Sequence, residues 1–217
     1  MKKFLSVIAA GMMLASVAQA APTRLSDLIN NDDSIVNGDK TFYDFGYVRS
    51  GDMPFANAVF VDTFTDDEGN LGLAFSGPFI DFAGGATSDA VITYKVTSNN
   101  GPITGAILGG AIGLDGSTRG FGSIIESFLN DAPEFMEVYN GSGGAQVIDS
   151  VQFAEEHTTL NVQKDILIDG GIGGGAVSVT FITQTFEQGG GGGGEIPEPA
   201  MLSLLSVAGL GLLRRRR

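Results

Sequence analysis

Cysteine and tryptophan do not occur in this sequence of 217 residues, histidine occurs once, and Lys and Arg together number 12 against 25 Asp and Glu. Without cysteine there is no disulfide, no thiolate nucleophile and no sulfur ligand for zinc, so the fold must be held by its own core. The single histidine, His157, lies among Glu155, Glu156, Thr158 and Thr159, and no Gly-x-Ser-x-Gly elbow accompanies it. It is read as a surface loop histidine rather than a catalytic base or a zinc ligand. The scarcity of basic residues argues against nucleic acid and anionic lipid as partners, since phosphate contacts need clustered Lys and Arg. The absence of tryptophan removes a usual sugar platform from any glycosidase, which would also need two carboxyls about 5–9.5 Å apart in a cleft. The chain is therefore expected not to be an enzyme.

What is present is glycine, 33 residues, and phenylalanine, 15 residues. Residues 23–31 place Leu25, Leu28 and Ile29 at helical spacing, with Thr23 as a candidate cap and Asp27 near the positive end of the dipole. From there the pattern has period two. Residues 41–48 set Tyr43, Phe45 and Tyr47 against Phe42, Asp44 and Gly46; residues 57–64 set Val59 and Val61 against Phe60 and Phe64. A turn at 66–70 returns the chain with Leu71, Leu73 and Phe75 inward. Residues 77–88 read as a loop, and 90–98 as a strand with Ile92, Tyr94 and Val96 on one face. Further strands are expected at 104–114, 121–129, 134–139, 145–153, 158–168 and 176–188, the second of these also having a helical reading that its flanking glycines disfavour. In the last strand Val177, Val179 and Phe181 share a face. Strands every dozen or so residues predict a mainly β, antiparallel β-sandwich or jelly-roll-like single domain over 21–188.

Two stretches invite a ligand reading. Asp62, Asp66, Asp67, Glu68 and Asn70 fall in one hairpin and could converge on calcium, although without the alternate acids of an EF-hand. Residues 171–176 loosely fit a dinucleotide fingerprint, but the β-branched alternation that follows predicts a hairpin turn where a helix is required. No cofactor is expected beyond possible calcium. Tyr43, Phe45 and Tyr47, if outward, would form a sugar-binding row.

Both ends carry targeting features. Residues 1–20 combine Lys2 and Lys3, an apolar stretch and the small residues Ala18 and Ala20, a signal peptide with cleavage before Ala21. At the other end a glycine-rich linker, 189–196, precedes Pro197, Glu198 and Pro199, an apolar run over 200–213, and Arg214, Arg215, Arg216 and Arg217. That run is about 21 Å long as a helix, short for a bilayer core of about 30 Å, though arginine stems can extend it. The arginines should remain cytoplasmic and leave the body across the membrane. An ordinary buried helix is the alternative. Lys2, Lys3 and the four arginines are half of the basic residues, so the body is more acidic than the whole chain, whose formal net charge is −13.

Residues 197–217 resemble the PEP-CTERM sorting signal of exopolysaccharide-producing Gram-negative bacteria. The resemblance implies recognition by an exosortase, a membrane protease cutting near Pro197, Glu198 and Pro199, after signal peptidase has acted at the front. Residues 25–29, 38–42 with Phe45, 89–94 and 161–165 resemble a recurrent type of PEP-CTERM protein, which implies export of one domain and no particular activity. The expectation is a secreted, non-catalytic surface or extracellular-matrix protein, associated with exopolysaccharide and held in the inner membrane only transiently by its C-terminal helix. A carbohydrate-binding module and a calcium-dependent adhesin are the alternatives, with a glycosidase unlikely.

Overall fold

Alternation of apolar and polar residues turns most of the body into strands. A computed structural model describes residues 21–189 apart from 117–118, 130 and 173–174. The signal peptide through Ala20, the linker beyond Gly189, Pro197, Glu198 and Pro199, the apolar run and the four arginines lie outside the described residues. Among the described residues no helix is long and apolar enough to cross a membrane.

The chain opens with β1 (Thr23–Arg24) and α1 (Leu25–Asn31). Leu25 and Leu28 are buried as their spacing requires, each contributing about 1.5–3 kcal/mol. Thr23 does not cap the helix; it pairs with Val61, and Arg24 holds the cap position without a side-chain bond. The strands that follow are β2 (Ile35–Asn37), β3 (Lys40–Ser50), β4 (Phe60–Thr65) after a short 3-10 turn, β5 (Leu71–Phe82), β6 (Ser88–Ser98) and β7 (Ile103–Asp115). Then come β8 (Phe121–Phe128), β9 (Ala132–Gly141), β10 (Gly144–Gln146), β11 (Ile148–His157), β12 (Thr159–Asp169) and β13 (Ala176–Gln188).

They form two antiparallel sheets. Sheet A has the order β1-β4-β5-β13-β7-β11 and sheet B the order β10-β9-β8-β12-β6-β3-β2, enclosing one core. The antiparallel sandwich expected from the alternation is present. At its centre Tyr94 stacks on Phe45 at 5.8 Å and tilts against Phe75 and Phe42, contacts worth about 0.5–1.5 kcal/mol each.

Four local expectations need correction, and crossings or bulges account for each. Residues 77–82 are not a loop: β5 continues through Gly77 and Pro78, because the pairing with β13 shifts between Val179 and Phe181 and absorbs an extra residue. The same shift turns Phe181 outward, 48% exposed, and puts Ile182 in the core. Residues 145–153 are two strands in different sheets, with Val147 at the crossing, its carbonyl accepting from Gly110 N. β12 lies in sheet B and β13 in sheet A, so the chain crosses between the sheets after β12 and does not turn back in a hairpin. Beside this crossing Asp81, 2% exposed on β5, accepts from Ser88 Oγ at 2.5 Å and Gly170 N at 2.6 Å, clasping the two sheets at this rim.

Candidate functional site

A bulge in β3 shapes the outer face of sheet B. Asp44 has φ 58°, in the left-handed region, and the register with β6 jumps from Tyr43 opposite Lys95 to Gly46 opposite Thr93. The extra residue reverses the alternation. Phe42 and Phe45 both enter the core, whereas Tyr43 faces out, its hydroxyl 3.2 Å from Thr97 Oγ1. Tyr47 packs against the core and donates to Pro54 O at 2.8 Å; burial, opposed by the Arg49 charge, pushes its phenol up to about 12. The row Tyr43, Phe45 and Tyr47 therefore does not exist as a sugar platform.

What the bulge creates instead is a depression of about 190 Å³. Gly46 leaves it open: a Cβ there would lie 2.5 Å from Thr93 Oγ1. The lips are Asp44 and Lys95, whose Oδ2 and Nζ are 2.8 Å apart, together with Thr93 and Asn161, and Leu129 closes one side; Phe45 and Tyr94 line it as well, but their side chains are buried in the core beneath. The Asp44 carboxylate, by its hydrogen bond and its charge, pushes the Lys95 ammonium up. Asp131 holds Asn161 in place by accepting from its side-chain amide at 2.9 Å and from its backbone N–H. Elsewhere this face is mixed: the Thr97 and Thr159 hydroxyls lie 2.9 Å apart toward one end, while Val48, Ile125 and Leu167 are exposed on the same sheet. Toward the other end, burial raises the Asp165 carboxyl, helped by the charge of Asp89 and the hydrogen bond they share. An ammonium, a carboxylate, an amide and a hydroxyl around a shallow depression suit a neutral polyhydroxyl ligand.

No family model matches this sequence, and no curated protein matches it. Among solved structures, the xylan-binding module CBM15 aligns at TM-score 0.31 and 15% identity, covering 66% of this chain and 97% of that one. The enzymatically active domain of tailspike protein 4 from bacteriophage CBA120 aligns at TM-score 0.32 and 11% identity, over 66% of this chain but only 19% of the tailspike. At such TM-scores neither likeness bears on a ligand or an activity.

The acidic hairpin is not assembled as a calcium site. Asp66 is already taken up by its own turn, accepting from Glu68 N, from Asn70 N and Nδ2, and from Thr185 Oγ1 at 2.8–3.0 Å. Burial pushes its carboxyl up, but these hydrogen bonds outweigh it and hold the group below the usual range. Asp62 accepts from Thr63 N on β4, while Asp67 and Glu68 stand exposed. Among the described residues no three His, Cys, Asp or Glu side chains form a group able to hold a metal. His157 is the last residue of β11, half-buried edge-on to Phe153 at 5.4 Å, and not in a loop. The sequence did carry a signal for the depression: an Asp and a Gly inside an aromatic strand mark a bulge.

Proposed function

We propose that this chain is an exported, non-catalytic protein of the cell surface or extracellular matrix, whose sandwich holds polysaccharide against the outer face of sheet B. The depression beside the β3 bulge carries this reading: Asp44 and Lys95 can bracket adjacent sugar hydroxyls, Asn161 and Thr93 add a donor and acceptors, and Leu129 shields the contact. The targeting features at both ends support the compartment. Signal peptidase would free Ala21, and an exosortase would act near Pro197, Glu198 and Pro199, with Arg214 to Arg217 holding the topology until then.

Affinity electrophoresis of the purified chain in gels containing neutral or acidic soluble polysaccharides tests the binding reading. Retardation by at least one polymer, lost in Asp44→Ala and Lys95→Ala, is expected; equal mobility in every gel would overturn it. Intact masses from membrane and matrix fractions test the sorting reading separately. A matrix species that begins at Ala21 and lacks Arg217 is expected, and a membrane species still ending in Arg217 would make the tail an anchor.

A further inference from the structure

Three polar side chains from both sheets meet in the middle of the core. Lys164 on β12 and its register partner Glu126 on β8 occupy inward positions, between Val162 and Ile166 and between Ile124 and Phe128 respectively, and both are 0% exposed. Across the sandwich Gln184 on β13, also 0% exposed, lies between Ile182 and Phe186 in the inward phase of sheet A. Lys164 Nζ contacts Glu126 Oε2 and donates to Gln184 Oε1 at 2.7 Å. The Gln184 amide nitrogen donates onward to Thr185 O at 3.2 Å. Glu126 Oε1 has no hydrogen-bond partner, nor has the Tyr94 hydroxyl; the Tyr94 ring centroid lies 5.9 Å from Lys164 Nζ.

Stability alone accounts poorly for such a cluster. Desolvating an ion pair is costly, apolar replacements of similar volume are often as stable, and an oxygen left without a donor adds to the cost. Reactivity accounts for it better. Burial lowers the Lys164 pKa well below that of an ordinary lysine, toward the free amine that is a nucleophile. The amine touches a carboxamide it can attack and a carboxyl that can carry its proton, in a site the core keeps dry. Fixed contact of this kind replaces a bimolecular encounter by an intramolecular one, a large part of an amide-exchange barrier.

We propose that Lys164 and Gln184 become joined by an intramolecular isopeptide bond, with Glu126 as the general acid–base. The Nζ lone pair attacks Gln184 Cδ, Glu126 takes a proton from Nζ, and the same carboxyl returns it to Gln184 Nε2. The Cδ–Nε2 bond then breaks and ammonia leaves, so one amide replaces another and nothing is oxidised or reduced. Gln184 is the acceptor rather than Glu126, because attack on Glu126 would leave no acid–base group in contact with the reacting atoms. The product ties sheet A to sheet B through the core, a covalent brace in a chain that has no cysteine for a disulfide.

The test is a chymotryptic digest of the full chain, analysed by mass spectrometry. Cleavage after Leu167 and Phe181 separates the two partners, so the bond appears as a branched peptide joining Lys164 to Gln184, lighter by one ammonia, about 17 Da, than the sum of its arms. The wild-type digest decides by itself, whether or not any variant folds. Linear peptides with an unmodified Lys164, or a branch from Lys164 to Glu126 with loss of water, overturn the proposal. Lys164→Arg is expected to abolish the branch and lower the Tm. Glu126→Gln preserves the shape and should slow formation of the branch at least tenfold after refolding; formation at the wild-type rate would remove Glu126 from the mechanism.

Discussion

Asp81 and Glu126 are both carboxylates buried between the sheets, yet their surroundings differ. Asp81 sits at a rim, and each of its oxygens has a donor, the Ser88 hydroxyl on one and the Gly170 N–H on the other. Glu126 sits mid-core with the Lys164 nitrogen on one oxygen and no partner on the second. In a low-dielectric interior a fully satisfied polar group rigidifies what it joins, whereas a partly satisfied one is costly. The first arrangement explains a clasp. The second leaves an amine, a carbonyl and a proton carrier in contact, which is why chemistry is assigned to it and not to the rim.

Substitutions can break this contrast. The largest effect is expected for Glu126→Ala, which leaves Lys164 buried without its carboxylate and should cost about 3–5 kcal/mol in urea unfolding; a wild-type midpoint would show that Lys164 does not depend on Glu126. Asp81→Ala should cost about 2–3 kcal/mol, because two buried donors lose a charged acceptor. A loss larger than that of Glu126→Ala would reverse the ranking.

Asp66 extends the comparison to a half-exposed carboxylate with four donors. Because its folded pKa is depressed, its contribution to stability is present above the unfolded carboxyl value of about 3.9 and is lost as the pH falls through the folded one. Asp66→Asn should lower stability by about 1 kcal/mol at neutral pH and flatten the acid limb of a Tm-against-pH curve. An unchanged limb would mean that the hydrogen bonds do not favour the ionised form. Adding millimolar calcium should leave the Tm of the wild type where it was, since these oxygens are already occupied. The smallest effect on stability is expected at the exposed pair, where Asp44→Asn should leave the Tm unchanged while weakening polysaccharide retardation; a clear fall in Tm would make the pair a structural element.

The strands were largely legible along the chain. Period-two alternation placed Val59, Val61, Leu73, Phe75, Ile92, Tyr94 and Val96 in the core, and the turn at 66–70 joins β4 to β5 as its Asp, Gly and Asn content predicts. Of the candidate site only a hint was legible, Asp44 and Gly46 inside an aromatic strand, because the alternation of residues 41–48 is as regular in composition whether or not a bulge interrupts it. Only the register against β6 turns Tyr43 out and Phe45 in. Likewise, Gly77 and Pro78 look like a loop until β13 lies beside them and takes up the extra residue. Lys164 and Glu126 lay within strands the sequence predicted, but neither their burial nor their meeting with Gln184 was read from it.

The period-two alternation, the absence of disulfides and the acidic balance of the body belong to the sequence by itself, since they depend on residue type and nearest-neighbour spacing alone. The bulge, the crossing from sheet B to sheet A and the contact of Lys164 with Gln184 were decided only in the tertiary structure. Each depends on a partner strand distant in sequence, whose register determines which side chain is turned inward and what it touches there.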